Sequence, residues 1–196
     1  MNTQCIETLI IGAGQAGLAT GYHLRRRRCG VLIVDAKAQI AGYLERYALQ
    51  FDLPVRTSTR VDRLEAPPEE GYVAIVGEDA IRSDNVVVAT GTFGRTANVP
   101  AFAAELDPAN LQPPILDEYG RPVEDRGVIT AAPGLFFCGW SFQFAFSSMV
   151  FPGVSRDADY IARQIVARRS PRPGPQRDPA RRTLYPDGAR WMLSKS

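Results

Sequence analysis

The chain has 196 residues, 45% of them hydrophobic, which suits one α/β domain and leaves little room for a second full nucleotide-binding domain. Its net charge of +2 excludes the strong positive field of a nucleic-acid-binding protein. Three scattered cysteines form neither a disulfide framework nor a metal motif, and no stretch resembles a signal peptide or a membrane span. We therefore expect a cytoplasmic protein that has no metal site and binds neither membrane nor nucleic acid.

The first elements predicted are a strand, a helix and a second strand. The apolar run at residues 7–11 is followed by glycines and a helical pattern that ends in Arg25 to Arg28, where cations suit the helix dipole. The buried strand at residues 31–34 then ends at Asp35. This order is typical of two parallel strands joined by a helix.

The turn between the first strand and helix, Gly12-Ala13-Gly14-Gln15-Ala16-Gly17, has the spacing of a dinucleotide-binding fingerprint. The first glycine permits a tight turn, the second lets the backbone approach a pyrophosphate, and the third lets the helix pack on the strand. Asp35 suits the hydrogen bonds of a ribose diol, with a solvated strand-end acid as the alternative. This fingerprint serves NAD and FAD alike, so the motif leaves the choice open.

The middle of the chain predicts a helix, a meander and a further buried strand. A helical face covers Tyr43 to Phe51, and Pro54 ends it. Three strands then predict an antiparallel meander at about residues 55–84; they are Val55 to Glu65, Tyr72 to Val76 and Ala80 to Arg82. Asn85 to Gly91 has the β-branched composition of a parallel strand.

The remaining third predicts less regular structure. Residues 92–127 show little periodicity, "GVITAAPGLFFCGW" predicts a strand, and Ser155 to Arg169 predicts a helix. Residues 170–196 are basic and rich in proline. We expect one domain at residues 1–169, with this tail outside it.

Four segments together resemble the flavin-containing monooxygenase group of two-dinucleotide-binding flavoproteins: "IIGAGQAGLATGYHL", "YLERYALQFDLPVRTSTRVDRLE", "NVVVATGTFGRTANVPAF" and "GVITAAPGLFFCGWSF" with the helix after it. The resemblance implies an FAD/NAD(P)-binding, Rossmann-like ββα sandwich of class α/β, with a parallel sheet and a small antiparallel meander. It also implies that the bound dinucleotide is FAD.

The resemblance further implies which residues contact FAD. The glycine turn would bind the pyrophosphate, Asp35 with Ala36 and Lys37 the adenosine ribose, and Val61 the adenine through its main chain. The segment Ala89-Thr90-Gly91 would pass close to the cofactor. The turn Cys138-Gly139-Trp140 and the helix start at Ser155 and Arg156 would approach the flavin ring, although Arg156 is equally suited to a surface salt bridge.

The chain departs from this family in two places. No second glycine fingerprint for NADPH occurs between residues 92 and 127, and Ala41-Gly42 leads straight into Tyr43 where the family has an active-site stretch. The expected protein is thus an FAD domain without its NADPH domain.

Three functions remain open on these grounds. The first is a monooxygenase-like oxidoreductase that acts on a small molecule, with electrons from a partner reductase or from external NADPH. The second is an oxidase or dehydrogenase that its own substrate reduces. The third is a non-catalytic flavin-binding module or remnant that acts as a homodimer. No side chain is identified as a catalytic acid or base.

Other conspicuous residues have simpler interpretations. His23 is the only histidine and lies among helix residues that face the sheet, which favours a structural role. Cys138 has no second cysteine spaced for a redox pair, which favours a buried thiol over a reactive one. The aromatic stretch Trp140 to Phe151 suits core filling, a partner-facing patch or a substrate pocket, and Arg25 to Arg28 suit a solvated helix end.

Overall fold

The structure is a computed structural model that describes residues 2–67, 71–91, 115, 117, 123–140, 143–149 and 151–169. Its strands are β1 (Thr3–Ile11), β2 (Val31–Val34), β3 (Val55–Arg56), β4 (Arg63–Glu65), β5 (Tyr72–Val76), β6 (Asp79–Val88) and β7 (Leu135–Phe137). Its helices are α1 (Gln15–Arg26), α2 (Gly42–Gln50) and α3 (Phe151–Ala167), with a short 3-10 helix at Phe146–Met149. The irregular segment and the tail expected at residues 92–127 and 170–196 lie mostly outside these residues.

The described strands form one mixed sheet in the order β3-β2-β1-β6-β5-β4, with β7 paired to β6. The pairs β1–β2, β1–β6, β2–β3 and β6–β7 are parallel, whereas β4–β5 and β5–β6 are antiparallel. Strand β6 belongs to both the antiparallel and the parallel part of the sheet. Its first half pairs with β5 and its last three residues pair with β7. The expected α/β fold, a parallel sheet with a small meander, is confirmed.

Two strand predictions differ from the structure. Ala80 to Arg82 and Asn85 to Val88 are parts of one strand, β6. The predicted strand from Val55 to Glu65 is divided into β3 and β4, because Ser58 has a positive φ of +51° that an extended strand cannot accommodate. Strand β3 stays in the parallel part, where the Asp35 amide donates to the carbonyl of Arg56 at 3.0 Å.

The parallel strands are covered on both faces, which explains their nearly continuous apolar sequence. On one face, Ile10, Ile33, Val87 and Phe136 pack against the three helices. On the other face, the alternate residues of the same strands pack against Leu64, Tyr72, Ala74 and Ile81 of the meander. Because β1, β2, β6 and β7 run parallel, their carboxyl ends meet at one edge of the sheet, where the glycine turn, Asp35, Ala89 and Cys138 follow them.

The third helix begins at Phe151, four residues before the predicted start at Ser155. The 3-10 helix leads directly into it, and a Cβ on Gly153 would lie 1.9 Å from the carbonyl oxygen of Ser147. The glycine thus lets the two helical segments meet.

In the part of the chain that the structure describes, no helix is long and apolar enough to cross a membrane.

Candidate dinucleotide-binding site

The three fingerprint glycines meet different surroundings. Gly12 has a φ of +111°, and a Cβ there would lie 2.4 Å from the carbonyl oxygen of Ala89. A Cβ on Gly17 would lie 1.9 Å from the carbonyl oxygen of Gly12. At Gly14 a Cβ would meet no atom within 4 Å. The first and third glycines are therefore required by packing, while the second faces open space.

Helix α1 starts at this open position. Gly14 caps the helix with φ −73° and ψ −177°, and its carbonyl accepts from the Leu18 amide at 3.0 Å. The amides of a first helical turn have no partner within the helix and carry the positive end of its dipole. This end of α1 is suited to an anion such as a pyrophosphate.

Asp35 ties the end of β2 to this turn. Its Oδ2 accepts from the Ala13 amide at 2.7 Å and its Oδ1 accepts from the Lys37 amide at 2.8 Å. An ionised carboxylate offers about four acceptor positions, so both oxygens keep capacity for further donors. The half-buried acid thus supports the turn and is also able to accept from a ribose diol.

The other residues predicted near the adenosine lie beside Asp35. Ala36 and Lys37 are exposed, and the Lys37 carbonyl accepts from the Ser58 amide at 2.9 Å. Val61 is partly buried against the meander face of the core. The Thr59 amide donates to the carbonyl of Asp35 at 2.8 Å, so the structure brings the segment that follows β3 next to the acid.

The end of β6 forms a second wall of the site. Ala89 is buried and its amide donates to the carbonyl of Ile11 at 2.8 Å, next to the fingerprint turn. Gly91 has a φ of +83°, and a Cβ there would meet none of the described atoms within 4 Å. The predicted segment Ala89-Thr90-Gly91 is thus brought to Gly12 and ends in open space.

The turn after β7 reaches the start of α1. Gly139 has a φ of +88°, and a Cβ there would lie 2.7 Å from the Cβ of Ala16. Trp140 is half-buried, with its ring edge-on to Phe137 at 6.0 Å between centroids. Gly139 thus lies against the same helical turn that contains the fingerprint.

Cys138 is a buried thiol. Burial raises its pKa to about 12, against a smaller opposing effect of a hydrogen bond with Thr20. A thiol with such a high pKa has very little thiolate at neutral pH and is a poor nucleophile. The structure thus agrees with the simpler of the two interpretations of this cysteine.

Gln143 is a site residue that the sequence analysis did not identify. This buried side chain accepts from the amides of Gly139 and Trp140 at 3.1 and 3.3 Å, and donates to the carbonyl of Phe137 at 3.1 Å. A glutamine in an aromatic stretch carries no sequence signal for such a role. Its role follows only from the fold of the turn around it.

The two residues predicted on α3 make protein contacts. The hydroxyl of Ser155 lies 3.2 Å from Nε2 of His23, and Arg156 pairs with the buried Asp157 at 3.0 Å. Arg156 therefore has the ion pair that was its alternative interpretation. His23 joins α1 to α3 through Ser155 and through Asp159, whose Oδ1 lies 3.2 Å from Nδ1.

The described aromatic residues of the stretch Trp140 to Phe151 do not form one core. Phe144 and Phe146 are 50% and 67% exposed. Phe144 stacks against two guanidinium groups, those of Arg126 at 4.0 Å and Arg156 at 4.4 Å.

The described residues contain no cluster of histidine, cysteine and carboxylate side chains suited to a metal ion.

Comparisons with known proteins agree with this geometry. The NAD(P)-binding Rossmann-like domain family matches residues 10–65. An uncharacterised CzcO-like oxidoreductase of Geobacillus kaustophilus is 29% identical over 141 residues, and an uncharacterised oxidoreductase CzcO of Bacillus subtilis is 24% identical over 141 residues. These matches take in 52% and 51% of this chain, and the chain spans only 40% of either relative.

Solved structures show the same fold. A double variant of a flavin monooxygenase from Stenotrophomonas maltophilia superposes with a TM-score of 0.68 at 14% identity, covering 84% of this chain and 99% of that one. A flavin-containing monooxygenase from the same organism gives a TM-score of 0.63 at 16% identity, with the same coverage. At such identities the likeness establishes the fold.

Proposed function

We propose that this chain binds FAD and acts as a flavin-dependent oxidoreductase, which its fold shared with flavin monooxygenases and its oxidoreductase relatives support. The single observation that carries this proposal is the contrast within the fingerprint. Gly12 and Gly17 are closed in by backbone, whereas Gly14 faces open space at the positive end of α1. A Cβ on Gly14 would meet no described atom within 4 Å, which leaves the backbone there open to the approach of a pyrophosphate.

The residues present fit the rest of a dinucleotide as well. Asp35 keeps acceptor capacity for a ribose diol, and the open backbone at Gly91 lies on a neighbouring strand end. The preference for FAD over NAD is supported by the meander and by the β7 turn at α1, since both belong to the fold shared with the flavin monooxygenases. When bound, a flavin supplies redox chemistry that side chains lack.

In this proposal the electrons come from outside the described domain, from a partner reductase or from external NADPH. The sequence contains one glycine fingerprint and no second one between residues 92 and 127. The alignment with the Bacillus subtilis relative is 141 positions long but contains only 51% of the 196 residues of this chain, which is about 100 residues. About 40 residues of the relative therefore have no counterpart in this chain within the aligned region. Internal segments of the relatives are thus shorter or absent here.

Titration of the purified protein with FAD and with NAD tests the binding proposal. We expect FAD to bind more tightly, with visible flavin absorption and quenched flavin fluorescence. Gly14→Ala should weaken FAD binding by at least about tenfold, because its Cβ occupies the approach of the pyrophosphate. The matched control is Gly42→Ala, since Gly42 is also open and begins α2. A protein that prefers NAD, or variants that bind FAD equally, would contradict the proposal.

Anaerobic reduction tests the enzyme proposal separately. Bleaching of the bound flavin by NADPH or by a reductase supports the monooxygenase-like activity, and oxygen uptake with a small organic substrate would extend it. Bleaching by a candidate substrate alone favours the oxidase or dehydrogenase alternative. A flavin that none of these reduces, in a protein that elutes as a dimer, favours the non-catalytic module.

A further inference from the structure

We propose that Gln143 is a positioning residue that sets the turn 138–140 against the start of α1 and so fixes the flavin end of the site. This inference rests on the proposed FAD binding. It concerns a residue that neither the fingerprint nor the comparisons identify.

The contacts of Gln143 are unusually complete for one side chain. Both acceptor positions of Oε1 are used by the amides of Gly139 and Trp140, and Nε2 donates to the carbonyl of Phe137. Its own amide also donates to the carbonyl of Trp140 at 3.3 Å. The buried carboxamide therefore holds Phe137, the last residue of β7, and two residues of the turn after it, Gly139 and Trp140.

The turn held in this way presses on α1 at one place. Gly139 lies so close to Ala16 that a Cβ would stand 2.7 Å from the alanine Cβ. Beside it, Thr20 acts on the buried Cys138 thiol and lowers its pKa against the larger effect of burial, and the Thr20 hydroxyl donates to the carbonyl of Ala16 at 2.8 Å. The start of α1 is therefore the fixed surface against which Gln143 sets the position of the turn.

The chemistry of Gln143 is also specific. A neutral carboxamide is able to accept from two amides and donate to a carbonyl at once, whereas a carboxylate only accepts. Glu124 and the buried Asp157 interact electrostatically with each other, and Glu124 accepts a hydrogen bond from the Gly127 amide. Gly127 in turn approaches Nε2 of Gln143, since a Cβ on it would lie 2.4 Å away. A third carboxylate beside this acidic pair would be unfavourable.

This arrangement changes which groups the turn offers to a cofactor. Because Oε1 occupies the amides of Gly139 and Trp140, these two groups are not available to donate to a cofactor. The expected result of losing Gln143 is a defect confined to the flavin end of FAD. The adenosine and pyrophosphate end, held by the fingerprint and Asp35, should be spared.

Comparison of FAD with ADP measures this difference, because ADP contains only the adenosine and pyrophosphate end. In Gln143→Leu we expect the dissociation constant of FAD to rise about tenfold while that of ADP changes less than about twofold. The flavin absorption and fluorescence of the bound fraction should change as well. The matched control is Gln50→Leu on the exposed side of α2, for which both ligands should bind as in the wild type.

Each outcome decides the proposal. If the wild type binds neither FAD nor ADP, the proposed function fails and the inference fails with it. If FAD binds normally and Gln143→Leu leaves the FAD-to-ADP ratio and the spectrum unchanged, the inference alone is overturned. Equal weakening of both ligands also overturns it, because that result indicates a general structural role.

A second variant keeps the test valid if Gln143→Leu does not fold. Gln143→Glu retains both acceptor contacts, loses the donor to Phe137 and adds a carboxylate near Glu124 and Asp157, so we expect the FAD-to-ADP ratio to change in the same direction. An unchanged ratio and spectrum in Gln143→Glu would overturn the inference.

Discussion

The carboxylate of Asp35 accepts a hydrogen bond from the amide of Ala13 at 2.7 Å, although the two residues are 22 positions apart. This contact joins the end of β2 to the glycine turn after β1. The acid therefore has a structural task in the protein itself, in addition to the ribose contact that we propose for it.

Replacement of Asp35 should lower both stability and nucleotide affinity. Asp35→Ala leaves the amides of Ala13 and Lys37 without their acceptor, and we expect the free energy of unfolding to fall by about 2 kcal/mol. Urea unfolding measures this change, and ADP titration measures the affinity. Asp79→Ala is the control, because exposed Asp79 accepts from the Asn2 amide at 3.0 Å, at the opposite end of β1 from the glycine turn. Equal loss of ADP affinity in both variants would contradict a specific role for Asp35.

Gly12→Ala should be far more damaging than an alanine at another glycine with positive φ. The new Cβ would lie 2.4 Å from the Ala89 carbonyl oxygen, and the φ of +111° is strained for alanine. We expect a loss of at least about 3 kcal/mol in urea unfolding, or an insoluble product. Gly77→Ala has a φ of +57° and no neighbour within 4 Å, so only about 1 kcal/mol should be lost. Similar losses of unfolding free energy at the two positions would show that the backbone at Ala89 shifts easily to accommodate the new Cβ, and would contradict this prediction.

Acid should destabilise the protein through His23. Burial lowers the pKa of His23 below its ordinary value of about 6.5, against a smaller opposing effect of Asp159. The unfolded chain then binds more protons than the folded one, so this contribution is complete above about pH 6.5 and is lost as the pH falls below it. His23→Gln should flatten the unfolding free energy between about pH 5 and 7.

Asp159 provides the comparison for that experiment. Burial acts to raise its pKa, but the hydrogen bond and charge of Arg27, with the charges of His23 and Arg163, lower it on balance. Its stabilising contribution is therefore lost only below about pH 4, and His23→Gln should reduce that part of the profile without removing it, because Arg27 and Arg163 still lower the pKa of Asp159. A profile unchanged between pH 5 and 7 would contradict the assignment to His23.

The three cysteines should differ strongly towards a thiol reagent. Cys5 is exposed, whereas Cys29 and Cys138 are buried and burial raises the pKa of both thiols. A colorimetric thiol titration of the folded protein should show one fast thiol and two that react only on unfolding. Cys5→Ser should remove the fast phase, and Cys138→Ser should leave it. Rapid reaction of Cys138 would revive the redox interpretation of that residue.

The sequence by itself determined the elements and the dinucleotide fingerprint. Glycine spacing, apolar runs and helix periodicity are local properties, so the start of α1, strand β2 and helix α2 were predictable from the residues within them. The acid at position 35 was identifiable because it directly follows a buried strand.

Only the tertiary structure decided how these parts support one another. The division of Val55 to Glu65 between two parts of the sheet depends on backbone hydrogen bonds to β2 and on the positive φ of Ser58. The pairing of Ser155 with His23 joins residues 132 positions apart, and Gln143 acquires its role from the backbone that folds around it. Such contacts form between segments that are distant in the sequence. Local propensity depends only on neighbouring residues, so it does not predict them.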